Sequence, residues 1–134
     1  MKKVTFAVLL SASALANADA LQPSNPLADY ADLLKHAAFE CKLKKSLYES
    51  AVRLNPQEQD KRRDEEMACI RANSAKARDG FKAALASAMT EPARLAVQDL
   101  YTNWRAYFGD YEPLSEARYK RSDAALRTYV ASQQ

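Results

Sequence analysis

The sequence predicts an all-α protein: a four-helix bundle built on an antiparallel helical hairpin that a disulfide staples. Three observations lead there. Apolar residues recur at helical spacing through four stretches, each beginning beside a proline. The 134 residues hold only two glycines, and no stretch alternates polar with apolar as a half-buried strand does. The two cysteines, Cys41 and Cys69, each lie fourteen residues from Asn55, and Asn55-Pro56 offers a chain reversal between them. Equal helical arms bring the cysteines level, roughly 21 Å from the turn at about 1.5 Å rise per residue.

The chain opens as a secretory leader. Met1-Lys2-Lys3 is basic, Val4 to Leu15 is mostly apolar, and Ala16-Asn17-Ala18-Asp19-Ala20 supplies small residues for cleavage after Ala18 or Ala20. The apolar run is too short for a bilayer anchor, and no cysteine follows either cleavage point to carry a lipid. Residues 21–134 then form a single helical domain, expected in the periplasm or outside the cell. Removing residues 1–20 takes away Lys2, Lys3 and Asp19, so the net charge falls from +3 to +2 over 114 residues. That is enough chain for one domain, and too little charge to favour nucleic acid. Two cysteines in an exported chain are expected to pair.

The first helix is expected over 26–54. Asn25 caps it, Pro26 takes the first helical position, and Asp29 sits in the first turn. Leu27, Leu34, Cys41 and Tyr48 recur every seven residues, with Tyr30, Ala37, Ala38, Ala51 and Val52 filling the same stripe. The second helix, near 56–88, starts at Asn55-Pro56, with Glu58 placed to complete a capping box and to pair with Arg62. Its charged beginning, Asp60 to Glu66, reads as a solvated tip. Its apolar stripe reads as Met67, Ile70, Ser74, Ala77, Phe81, Ala84, Leu85 and Ala88, with Cys69 on the flank and Gly80 as a point of kinking or early termination.

A third helix, near 91–109, takes Thr90 as cap and Pro92 in its first turn. Leu95, Ala96, Leu100, Trp104, Tyr107 and Phe108 keep helical spacing up to Gly109, a natural helix terminator. After the break Asp110-Tyr111-Glu112-Pro113, a more polar helix near 114–131 carries Tyr119, Leu126, Tyr129 and Val130.

Little in the chain carries chemistry. His36 is the one histidine, with Asp32 four residues earlier on the same helical face. A zinc site needs three or four converging ligands, and neither a His-Glu-x-x-His nor a Glu-x-x-His pair occurs. Haem ligation through His36 and Met67 or Met89 is the remaining cofactor reading. A nucleophile needs a base within reach, so the expectation is no catalytic residue, no metal, no cofactor and no enzyme.

Two surface features remain. Arg71, Arg78 and Lys82, with Lys76 nearby, form a basic ridge on the second helix, and Lys42, Lys44 and Lys45 lie at the facing level of the first. Such cations ordinarily solvate the flanks of an apolar stripe; the alternative is a surface for an anionic partner. Tyr101 and Tyr111 fall off the main stripe of their region, and Tyr side chains near Arg105 suit a protein interface.

The chain as a whole resembles the small exported α-helical proteins of Gram-negative bacteria. Through Gln98 and Trp104-Arg105-Ala106-Tyr107, its last third is similar to periplasmic lysozyme-inhibitor-type helical proteins, a resemblance that carries no site residue over. The expected function is therefore a non-enzymatic, partner-binding protein of the cell envelope or secreted fraction: an inhibitor, adaptor or virulence-linked factor. Its partner would be another protein or an anionic envelope component. The candidate binding residues are Arg71, Arg78, Lys82, Tyr101, Arg105 and Tyr111. A periplasmic stress chaperone, or a minor enzyme or haem or metal carrier using His36, are the competing readings.

Overall fold

The computed structural model describes residues 25–133 and contains four helices: α1 (Pro26–Leu54), α2 (Gln59–Ser87), α3 (Glu91–Tyr107) and α4 (Pro113–Ala131). A short 3-10 turn, Pro56–Glu58, joins the first two. The expected secretory leader lies outside the described residues. Among the described residues, no helix is long and apolar enough to cross a membrane.

α1 and α2 form the expected antiparallel hairpin, and Cys41 and Cys69 are bonded across it with Cα atoms 5.6 Å apart. The register holds along the whole hairpin. Lys44 meets Glu65 near the tip at 3.8 Å, and the Tyr30 hydroxyl donates to the Ala77 carbonyl at 3.3 Å near the base. α3 and α4 make a second, shorter hairpin against the base of the first. The main core lies where all four helices overlap: Leu27, Tyr30, Ala31 and Leu34 of α1, Ala77 and Ala84 of α2, Val97, Leu100 and Trp104 of α3, and Tyr119, Leu126 and Val130 of α4. Trp104 ties the two hairpins together by donating its indole Nε1–H to the Leu34 carbonyl at 2.9 Å in the buried interior. Arg127 of α4 reaches Asp32 of α1 at 2.7 Å while holding Asp123 of its own helix.

The helix ends follow local chemistry. The Asn25 side chain accepts from the Leu27 and Ala28 amides, and Thr90 accepts from Ala93. α3 ends two residues before Gly109, which takes φ +107°, a conformation that costs glycine little. Pro113 is the first residue of α4 rather than part of the preceding break. Two expectations at the other joints are corrected. Asn55 forms no side-chain cap, because the chain enters α2 through the 3-10 turn, and Glu58 spends its carboxylate on Arg62 at 3.0 Å. α2 runs unbroken through Gly80, which serves as a place of close approach for the Tyr30 ring.

The apolar stripes hold at the base and shift towards the tip. Val52 is exposed, Tyr48 is half-buried and Met67 is 44% exposed, while on α3, away from the tip, Leu95 lies on the solvent side of its helix. On α2 the buried line instead runs through Glu66, Cys69, Asn73 and Ala77. The reason is the difference in helix length. α1 and α2 have 29 residues each, against 17 and 19 for α3 and α4, so the tip has only one neighbouring helix to face. Glu66, expected in the solvated tip, is buried near Lys45 and Glu49 of α1 and Tyr111 of the α3–α4 connection, and that burial raises its pKa despite Lys45. Asn73 sits beside the disulfide, its amide nitrogen 3.4 Å from each sulfur and 3.2 Å from the Cys69 carbonyl oxygen.

Candidate functional site

A groove of about 650 Å³ opens between α2 and α3. Its apolar strip is a run of near-parallel rings. Phe81 and Tyr101 stack at 4.4 Å between centroids, Tyr101 and Trp104 at 6.3 Å, and Trp104 and Phe108 at 4.2 Å. Trp104 is 1% exposed and turns its only polar atom inward to Leu34, so it backs the strip from the core while Phe81, Tyr101 and Phe108 carry the strip's part-exposed surface.

Three cations border the strip. Arg78 and Lys82 stand one helical turn apart on α2, and Arg105 stands on α3. The Arg105 guanidinium lies 5.8 Å from the Tyr101 ring centroid, within cation–π range. Among the described residues, neither Arg78 nor Arg105 has a carboxylate within 4.0 Å, and Lys82 has only the exposed Asp79 at 3.9 Å. An exposed pair of that length is worth little, so the positive charge of the groove remains available to an incoming anion. Ser74 and Ile70 complete the α2 wall, and none of the lining side chains among the described residues is a carboxylate or an amide.

The structure thus brings together four of the six candidate binding residues, Arg78, Lys82, Tyr101 and Arg105, in one groove. It leaves out the other two. Arg71 is exposed on the same side of α2 as Arg78, two turns away and outside the groove. Tyr111 is half-buried with φ +58°, edge-on to Tyr107 at 5.2 Å, and its hydroxyl is buried. Burial pushes its phenol pKa up. Of the cations near the expected ridge, Lys76, Lys42 and Lys45 do not join the groove. Lys76 stands 200° around α2 from Arg78 by helical spacing, Lys42 is held by Tyr107 and Glu116, and Lys45 by the Asp110 carbonyl.

Trp104 is buried, as its periodicity predicts, and backs the groove from the core side. Phe81 and Phe108 are part-exposed and line the groove as well as packing on the core, a second role that periodicity did not show. The available signal was adjacency: each sits within three residues of a cation, Phe81 beside Arg78 and Lys82, and Phe108 beside Arg105.

His36 is exposed on α1, and Asp32 is engaged by Arg127. The disulfide register places Met67 level with about residue 43 of α1, roughly two turns from His36. Among the described residues, no three His, Cys, Asp or Glu side chains group as a metal site requires. No protein-family model, curated protein or solved structure matches the chain.

Proposed function

We propose that this chain is an exported, non-enzymatic binding protein of the cell envelope or secreted fraction, and that its α2–α3 groove receives an anionic partner. One observation carries the reading: Arg78, Lys82, Tyr101 and Arg105, from two different helices, border a single groove with an aromatic strip between them. The bonded cysteines support the export half, since such bonds persist in oxidising compartments. The stapled hairpin supports the binding half, because a pre-ordered surface loses little conformational freedom on association.

The test is capture from envelope extract with three forms of the protein. The wild type is expected to retain a partner, and a variant with Arg78, Lys82 and Arg105 changed to Glu to lose it. Arg71→Glu, outside the groove, is expected to keep it. Equal capture by all three would remove the groove from the reading, and a full-length N-terminus on cell-retained protein would remove export.

A chaperone-like role has its own observation. Phe39, Leu43, Leu47 and Leu54 form an exposed apolar stripe on α1, with Leu54 85% exposed. Leu43 stands two residues, and so about half a turn, from the buried Cys41. If that stripe holds unfolded clients, Leu43→Glu with Leu47→Glu will abolish suppression of client aggregation. Suppression unchanged by those substitutions would dismiss it.

A further inference from the structure

We infer that the occupant of the α2–α3 groove is an amphipathic helix of a partner protein, with one apolar stripe and acidic residues on both of its flanks. The inference rests on the groove being the binding site, as proposed above, and adds the chemistry of what enters it.

Charge comes from both walls and apolar surface from between them. Arg78 and Lys82 rise from α2 and Arg105 from α3, so a chain lying along the groove meets cations on either side. Beneath it lie the part-exposed rings of Phe81, Tyr101 and Phe108, with Trp104, 1% exposed, filling in behind them, an apolar floor suited to side chains that recur about 5–6 Å apart along one face of a helix. A helix presents its apolar stripe in that rhythm and its flanking residues to left and right of it. Complementarity therefore asks for acids on both flanks, the pattern of helix-in-groove recognition with anionic borders. The Arg105 guanidinium already lies 5.8 Å from the Tyr101 ring centroid, which sets its donor fork beside the ring strip for a carboxylate.

Two other classes of ligand fit less well. A polymer of neutral hydroxyls would need acceptors and amides to replace its lost water bonds, and the lining offers only Ser74 and Tyr101 as neutral polar side chains. An acyl chain is best served by an enclosed apolar tunnel, whereas this groove is open to solvent above Phe81, Tyr101 and Phe108 and bordered by three cations.

The test uses two fluorescently labelled synthetic helices that share one Leu/Phe stripe, one with Glu on both flanks and the other with Lys. Anisotropy titrations against the disulfide-bonded protein are expected to favour the Glu-flanked helix by at least about tenfold. Arg78→Glu with Arg105→Glu should reverse the preference, and Arg71→Glu should leave it unchanged. Equal affinity for the two helices, absence of binding by both, or an unreversed preference in the double variant overturns the inference. So does equal binding of poly-glutamate, which would make the rings irrelevant. Phosphatidylglycerol vesicles that bind with the same residue dependence while the Glu-flanked helix does not would overturn it in favour of a membrane surface. A partner captured from extract in a groove-dependent way, with no helix binding, would sink this inference and leave the groove reading standing; failure of both experiments would sink both.

Discussion

The ring of Tyr30 lies against Gly80 so closely that a methyl group added there would sit 3.1 Å from ring carbons Cδ2 and Cε2. Glycine within a helix ordinarily costs about 1 kcal/mol relative to alanine, and here that cost permits close packing of α1 on α2. The ring has little room to retreat: Tyr30 is 3% exposed and its hydroxyl is bonded to Ala77. Overpacking of this kind costs about 1–3 kcal/mol, so Gly80→Ala should lower stability by a net of about 1 kcal/mol. In a Tyr30→Leu background the same substitution should stabilise by about 0.5–1 kcal/mol. Thermal melts of the four proteins complete the cycle. A rise in Tm for Gly80→Ala alone would show that the ring yields freely.

The Cys41–Cys69 bond closes a loop spanning a sequence separation of 28. In the chain-entropy description, a loop of that size stabilises by about 3.6 kcal/mol. Replacing both cysteines with alanine should therefore cost about 3–4 kcal/mol, because the Asn73 amide also loses its two sulfur neighbours. Denaturant unfolding of the variant, and of the wild type with and without reductant, measures it. A loss below about 1 kcal/mol would mean that contacts along the hairpin, rather than the bond, restrict the chain.

Where four helices overlap, the architecture was legible because repeating apolar positions had somewhere to go. Leu27, Leu34 and Cys41 recur every seven residues and all three are buried. The mirrored cysteines were equally legible, since a disulfide needs two residues at one level and the count from Asn55 supplied it. Periodicity lost its meaning towards the tip. There Val52 keeps the helical rhythm, yet α3 and α4 are too short to cover it, and Met67 is exposed because the buried line of α2 runs through Glu66, Cys69 and Asn73 instead. Glu66 was misplaced for the opposite reason: its neighbours in sequence are charged, but its carboxylate is buried near Lys45 and Glu49 of α1 and Tyr111, tertiary neighbours with no local signature. The groove was half legible. Its cations stood out as polar residues beside an apolar stripe, whereas Phe81 and Phe108 serve the core and the groove together, and a one-face reading admits only one of those roles.

Glu66 should make stability depend on pH in a particular direction. Burial raises its pKa, with Glu49 adding to the effect and Lys45 opposing it. The folded state therefore binds this proton more tightly than the unfolded chain does, and the charged form is a liability at neutral pH. The stability it contributes is full below the ordinary glutamate value of about 4.3 and is lost as pH rises through the higher folded value. Glu66→Gln should raise Tm at pH 7, and the gain should vanish as pH falls below about 4. A gain of the same size at both pH values would assign the effect to shape rather than charge.

Tyr111 separates structure from recognition in a single substitution. It holds a left-handed backbone, φ +58°, in the connection between α3 and α4, where its ring packs edge-on to Tyr107 and Phe108, and Lys45 stands 5.5 Å from its centroid. Its hydroxyl is buried and makes no well-aligned hydrogen bond among the described residues, with the Gly109 backbone amide near it but out of good geometry. A buried hydroxyl without a partner costs about 1–3 kcal/mol, while the ring contacts survive in phenylalanine. Tyr111→Phe should therefore stabilise the protein by about 1 kcal/mol. Tyr111→Ala, which also removes the ring, should destabilise it by about 2–3 kcal/mol. Neither should weaken partner capture through the groove, since Tyr111 is not among the residues bordering it. Chemical denaturation and the extract capture, run on the same two variants, read both effects. A loss of stability in Tyr111→Phe would reveal a bonded hydroxyl in solution, and lost capture by a stably folded Tyr111→Phe would return this residue to the binding surface.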